Sequence, residues 1–280
     1  MVLFGVVLLS LTGLCLKNAI PDTELSPMAV AGARSLLGVM LWFVFFKTKA
    51  WSCSAILIPQ KSQIITGIAF AATNITFTYA TILTTAHNAV FLQYMAPFWI
   101  VLFSFIIWRK PIEEFDFIVL PILLIGMFLV VSEGFQLNNL LGLGLGVFCG
   151  ICYAFVLIFL GQETSPLLRL KTLLFGNLLT VLIALPFVFS LANISGSAWL
   201  WIMLLGVVAF GLPWILFTKA LQQITPIEFA VITMIGPVLN PIWVALAPPY
   251  EIPGLLPIIG AVLILCGVGY RIYAVSNAKR

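Results

Sequence analysis

Nearly the whole chain divides into apolar runs of about 20 residues set off by short polar breaks, and about 20 apolar residues is what an α-helix needs to cross the hydrocarbon of a bilayer. The first five runs are Val2–Ile20, Pro27–Phe46, Ser62–Leu83, Ala86–Ile107 and Phe115–Val131. Leu140–Leu160, Leu167–Ser190, Ala198–Leu221, Pro226–Leu246 and Pro253–Tyr273 follow. Only 8% of the residues are charged and the mean hydropathy is +1.20, whereas a water-facing surface needs roughly a quarter of its residues charged. Backbone polar groups in hydrocarbon must satisfy one another, which makes each run a helix. The fold expected is therefore an all-α integral membrane protein of ten transmembrane helices, with no room left for a soluble domain. The first run lacks a basic start and a small-x-small pattern before Pro21, so it reads as a membrane helix rather than a secretory signal.

The placement of the charges orients the chain. Taking the breaks alternately, one side holds Lys47, Lys49, Lys61, Arg109, Lys110, Arg169, Lys171, Lys219, Arg271, Lys279 and Arg280. The opposite side holds at most Lys17, at a helix end, while Arg34 lies inside the second run. Basic residues collect on the cytoplasmic side, so both termini are expected there, which requires an even number of spans. Cys15, Cys149, Cys152 and Cys266 fall in spans and Cys53 in a cytoplasmic loop; the Cys149-Gly-Ile-Cys152 spacing reads as two small apolar residues on a packed helix.

An internal repeat organises the ten runs. At an offset of 140 residues Ile75, Phe77, Thr78, Ala80, Thr85 and Pro97 meet Ile215, Phe217, Thr218, Ala220, Thr225 and Pro237, six ungapped identities over 23 positions. With a shorter loop allowed, Gly126 matches Gly260. Each half, residues 1–134 and 135–280, then holds five helices. Five is odd, so the second half enters the membrane in the opposite sense, giving a 5+5 inverted-topology repeat that forms one transport domain. Two similar halves of opposite orientation can exchange conformations and open a midplane site alternately to each side. Ser26-Pro27, Ser165-Pro166 and Thr225-Pro226 each place a capping residue before a proline at a helix start.

The stretch from Thr84 to Lys110, TTAHNAVFLQYMAPFWIVLFSFIIWRK, resembles the fourth helix of the EamA-like branch of the drug/metabolite transporter superfamily. TPIEFAVITMIGPVLNPIWVAL, then Glu251 and GAVLILCGV, resemble that family's ninth and tenth helices, and Arg34 in PMAVAGARSLLGVML sits where it often has an arginine in the second. The resemblance covers nearly the full length and implies a secondary carrier or exporter of small metabolites. The family often has Gly-Glu after the fourth helix, where this chain reads Arg109-Lys110-Pro111, so no role passes to Glu113 or Glu114.

Candidate site residues follow from what is unusual inside the spans. Pro97 and Pro237 remove a backbone donor and displace the carbonyls of Gln93 and Thr233, which reads as a pair of kinks hinging a central cavity or as packing kinks alone. Asn74, Gln93 and Asn240 are the deepest amides and carry both donors and acceptors; interhelical bonding would account for each as well as a substrate path does. Tyr94, Tyr153 and Trp214 are candidate aromatic walls, with Trp214 at the repeat position of Asn74, so the cavity is expected to be asymmetric. Arg34 lies roughly 10 Å along its helix from the outer end and either neutralises an anionic group or snorkels outward. Lys17 reads as an interfacial anchor, His87 as incidental, and Glu228 as the partner of Thr225 in a capping box.

Intramembrane enzymes need a Ser–His pair, paired aspartates or a metal site. Two aspartates, Asp22 and Asp116, both at loops, and one histidine do not supply these parts. No cofactor, metal or nucleic-acid partner is expected, and the partners are a small-molecule substrate and the lipid bilayer, with the protein a monomer or weak dimer. A flippase for a lipid-linked head group is the nearest alternative; a passive channel lacks a filter motif. Every acid lies at or near a helix end, which favours exchange or facilitated movement over proton coupling. A bacterial inner membrane is the expected location, and amino acids or their derivatives the leading substrates.

Overall fold

The computed structural model describes residues 1–19, 26–46, 60–84, 86–109, 111–132, 139–191, 195–246 and 254–278, and among these every regular element is helical. Lys47, Lys49, Cys53, Lys110, Glu251, Lys279 and Arg280 lie outside the described residues, as do the side chains of Lys17, His87 and Asn240.

Each apolar run folds as one helix or as two or three helical segments in series. The first forms α1 (Val2–Ser10) and α2 (Thr12–Ala19), the second α3 (Pro27–Phe46) and the third α4 (Lys61–Leu83). The fourth is divided into α5 (Ala86–Gln93) and α6 (Ala96–Trp108), and the fifth is α7 (Asp116–Val131). Then come α8 (Leu140–Gln162) and α9 (Pro166–Ala184), which tightens into a 3-10 segment, Leu185–Leu191. The eighth run joins α10 (Gly196–Met203), a π-helical stretch (Leu204–Gly211) and α11 (Leu212–Ala220). The ninth is divided into α12 (Pro226–Thr233) and α13 (Ile235–Leu246), and the tenth is α14 (Leu255–Ala278). Seven stretches, at 27–44, 61–83, 88–108, 140–162, 166–187, 196–220 and 255–277, are long and apolar enough to cross a membrane. Val2–Leu16, Asp116–Val130 and Pro226–Leu239 are shorter apolar helices.

Burial runs in the sense a bilayer selects. Phe4, Ile106, Phe117, Leu140 and Phe189 stand more than half exposed, while Thr172, Asn177, Thr180, Thr218 and Thr233 are buried. The hydroxyls are tolerated inside because each bonds its own helix: along α4, Thr66, Thr73, Thr76, Thr78 and Thr81 all donate to the carbonyl four residues earlier at 2.7–2.9 Å. Two of the expected caps, at Ser165 and Thr225, form. Ser165 Oγ accepts from Leu168 N at 3.2 Å, and Thr225 and Glu228 make the reciprocal capping box, with Thr225 N donating to Glu228 Oε2 at 2.6 Å.

Helix α4 lies along α8 and α9, α3 against α9 and the π-helical stretch, and α7 along α14. The last pair approaches closely through glycine: a Cβ built on Gly260 would stand 2.5 Å from the Gly126 carbonyl oxygen. Two of the basic residues counted as loop charges are buried. Arg169 donates to the Leu160, Thr218 and Glu163 carbonyls at 2.7, 3.0 and 2.6 Å, taking up orphan groups at the C-terminal ends of α8 and α11. Arg271 Nε donates to Asp116 Oδ1 at 2.9 Å, both side chains 4% exposed, which ties the end of α14 to the start of α7.

Candidate functional site

The helix interruptions converge on one place. Pro97 carries no N–H for the Gln93 carbonyl, and the run breaks at Tyr94–Met95 before resuming with proline in the first turn of α6, where no intrahelical donor is required. Tyr94 N returns to Val90 O at 3.0 Å and Phe98 N to Met95 O at 3.0 Å. The ninth run breaks at Met234, whose N–H reaches Val231 O at 3.1 Å, and Pro237 falls in the first turn of α13. Each of these two runs is thus divided into two helices, at a joint lying up to three residues ahead of its proline. A third joint, at Leu11 in the first run, involves no proline: Ser10 Oγ and Thr12 Oγ1 donate to Val7 O and Leu9 O at 2.7 and 2.6 Å, and Thr12 also reaches Ala209 O at 3.4 Å.

Between these joints lies a cavity of about 70 Å3, walled by residues from the first, second, third, fourth, sixth, eighth and ninth runs. Of the side chains singled out from the sequence, Arg34, Asn74, Gln93, Tyr94, Tyr153 and Trp214 line it, and that of Asn240 lies outside the described residues. Pro237 lines it too, whereas Pro97 does not. Ser10, Thr12, Gly13, Phe70, Thr73 and Phe210, not among the candidates drawn from the sequence, also face it. The signal for the first three was present as Ser-Leu-Thr-Gly in the middle of a Leu/Val run. The cavity is well below the about 300–1,000 Å3 of a metabolite pocket, so admitting one requires the surrounding helices to part.

Its walls are of two kinds. One side is aromatic: Trp214 stands edge-on to Phe70 with centroids 4.9 Å apart at 88°, and to Tyr153 at 6.4 Å and 87°. Phe70 stacks on Phe210 at 6.1 Å and 27°, and these two phenylalanines stand at the same 140-residue offset as the repeat identities. The other side is polar. Arg34, 4% exposed, donates from Nη2 to Asn74 Oδ1 at 3.1 Å and to Asn74 O at 3.5 Å, and its Cζ lies 4.8 Å over the Phe210 ring. Arg34 therefore points inward rather than snorkelling. Among the described residues that line the cavity it is the one charge. Among the described residues no three His, Cys, Asp or Glu side chains gather as a metal site would require. Cys149 and Cys152 are buried in α8, with Cys149 Sγ 3.5 Å from Thr73 O.

Comparison with known proteins agrees with this architecture. The family model described as the EamA-like transporter family matches twice, over residues 1–132 and 137–270. An uncharacterized transporter of Archaeoglobus fulgidus is 27% identical over 150 residues, 53% of this chain and 53% of that protein, so the matched stretch spans about half the length of the curated relative. A solved crystal structure superposes with a TM-score of 0.78 over 94% of this chain and 93% of its own at 16% identity, a likeness of fold.

Proposed function

The chain belongs to the EamA-like transporter family, and from that premise we propose that it is a secondary carrier of small polar metabolites, amino acids or their derivatives first among them. Substrate moves by alternating access through the central cavity. The observation that carries the reading is that residues at or flanking the joints, Ser10 and Thr12 beside Leu11, Tyr94 at the second and Gly236 and Pro237 after Met234, line one cavity with both aromatic and polar walls. Interrupted helices tolerate unpaired backbone at membrane depth only against protein or a water-lined cavity, and they supply the bending points that alternate opening needs.

In this reading the seven long apolar stretches and the three shorter ones make ten spans, with both termini cytoplasmic. Residues 1–134 and 135–280 are inverted five-helix repeats, a division that the two family-model matches over 1–132 and 137–270 support. The protein resides in a bacterial inner membrane as a monomer or weak dimer, acts as a carrier rather than an enzyme, and works by exchange or facilitated movement. Asn74, Gln93, Tyr94, Tyr153, Trp214, Asn240 and Arg34 contact the substrate, and Pro97 and Pro237 set the hinges.

Flux into proteoliposomes holding the purified protein tests this. Saturable uptake of labelled amino acids or amino-acid derivatives is expected. Liposomes that move none of these solutes but flip a labelled polyprenyl lipid would make the protein a flippase.

A further inference from the structure

Arg34 is a buried cation, and among the described residues that line the cavity no acid stands beside it. Burying an ion is strongly unfavourable unless a partner of opposite charge and a full set of hydrogen bonds compensate it, and here neither is complete. Asn74 supplies a neutral oxygen at 3.1 Å and Phe210 a ring face at 4.8 Å, while Arg34 Nε is buried with no hydrogen-bond partner. Asn74 is under the same constraint. A guanidinium can only donate, so the amide must present its oxygen to Arg34, which leaves Nδ2, also buried, without a partner. Two adjacent residues, each 4% exposed and both on the cavity wall, thus hold unused N–H donors beside an unbalanced positive charge.

Taking the carrier reading as its basis, we infer that the substrate is a monocarboxylate of net charge −1, whose carboxylate binds the Arg34–Asn74 pair as the cavity widens. A carboxylate that accepts one bond from Arg34 Nε and another from Asn74 Nδ2 satisfies both orphan donors and neutralises the site. The count of charges narrows the class. Arg34 is the single charge among the described lining residues, so one negative charge balances it. A phosphate monoester at neutral pH brings nearly two. A zwitterionic amino acid adds an ammonium with no described lining acid to receive it, so within the amino-acid derivatives the inference selects those whose amino group is uncharged. The remainder of the molecule meets the aromatic wall of Phe70, Tyr153 and Trp214.

The test uses purified full-length protein in detergent and thermal shift with a ladder of monocarboxylates from acetate to 3-phenylpropionate. Each acid is run beside its primary amide, with phenylalanine and phenyl phosphate as the zwitterion and the dianion. At least one acid is expected to raise the melting temperature while its amide, phenylalanine and phenyl phosphate do not. Arg34→Gln should weaken that acid roughly tenfold or more, the loss of a charge-assisted bond, and Arg34→Lys should keep part of the effect. Without ligand, Arg34→Gln should melt no lower than the parent, because it deletes an uncompensated buried charge. The inference is overturned if no acid stabilises, if an amide, the zwitterion or the dianion stabilises as well as the acid, or if Arg34→Gln leaves the acid's effect intact. It is also overturned if Arg34→Gln melts well below the parent and Arg34→Lys restores it without restoring acid binding, since Arg34 is then a packing staple. Flux separates the two readings. Acids that bind through Arg34 while proteoliposomes move no solute leave the inference standing and remove the carrier; saturable uptake of a neutral or zwitterionic solute with no acid bound does the reverse.

Discussion

Gly126 of α7 and Gly260 of α14 meet backbone to backbone, and the meeting is reciprocal. A Cβ on Gly260 would lie 2.5 Å from the Gly126 carbonyl oxygen, and one on Gly126 would lie 3.0 Å from the Gly260 carbonyl oxygen. These are the glycines that the repeat alignment pairs, and Phe70 and Phe210, another pair at equivalent positions, likewise stack on each other. Residues at equivalent positions touch one another where a two-fold axis passes between them, so both contacts favour the proposed relation between the halves.

The glycine contact predicts an asymmetric sensitivity to added volume. Around Gly260 a new methyl meets backbone atoms at 2.5 and 2.7 Å, which cannot rotate away; around Gly126 the nearest atom is the Ile264 side chain at 2.9 Å. Gly260→Ala should therefore destabilise by about 1–3 kcal/mol, and Gly126→Ala by less. Thermal melting of the purified variants checks the order, and equal melting temperatures for all three proteins would contradict it.

The Asp116–Arg271 pair makes a second prediction. Both groups are 4% exposed and 2.9 Å apart, so removing one strands the other. Asp116→Ala should cost about 3–5 kcal/mol, whereas the double replacement Asp116→Leu with Arg271→Met should be close to neutral. A double-mutant cycle on chemical unfolding reads the difference; a mild single variant would mean that water already reaches the pair.

Much of the cavity was legible because its residues contradict their surroundings. Asn74, Gln93 and Arg34 are expensive in hydrocarbon, and Pro97 and Pro237 are expensive in helices, so each needed a reason to be there. What was not legible lacked such a contradiction. The joint at Leu11 is made by Ser10 and Thr12 bonding to carbonyls three residues earlier, and hydroxyls do much the same in unbroken helices such as α4. Phe70 and Phe210 were indistinguishable from the lipid-facing phenylalanines around them until the fold showed which way each side chain turned. Asp116 and Arg271, 155 residues apart, each looked like a loop charge; only the packing of α14 on α7 joins them.

The proposed orientation rests on the basic residues and can be checked without knowing the substrate. Gly196, the first residue of α10, and Gln222, after α11, are both exposed at opposite ends of the eighth run. In intact cells expressing a cysteine-free background, a cysteine at 196 should react with an impermeant maleimide and one at 222 should react only after lysis. The opposite pattern would invert the topology and place both termini outside.

The paired prolines carry the last prediction. In Pro97→Ala the new amide N–H can bond the Gln93 carbonyl and close the joint at Tyr94–Met95 into a continuous helix; in Pro237→Ala the Thr233 carbonyl gains the same partner across Met234. Proline is about 3 kcal/mol less favourable than alanine inside a regular helix, so each replacement favours whichever state holds its run straighter. Even a fraction of that difference, felt unequally by outward-open and inward-open forms, changes their populations severalfold. If the halves are inverted repeats, straightening the fourth run in one variant and the ninth in the other should move the balance in opposite directions. Single cysteines at Thr12 and Thr73, both on the cavity wall, report it through their accessibility to an impermeant reagent supplied from one side and then the other. Pro97→Ala and Pro237→Ala should change the ratio of the two labelling rates with opposite signs while leaving the melting temperature nearly unchanged. Unaltered ratios in both variants would make the joints packing features, and shifts of the same sign would mean that the two joints do not exchange roles when the cavity turns over.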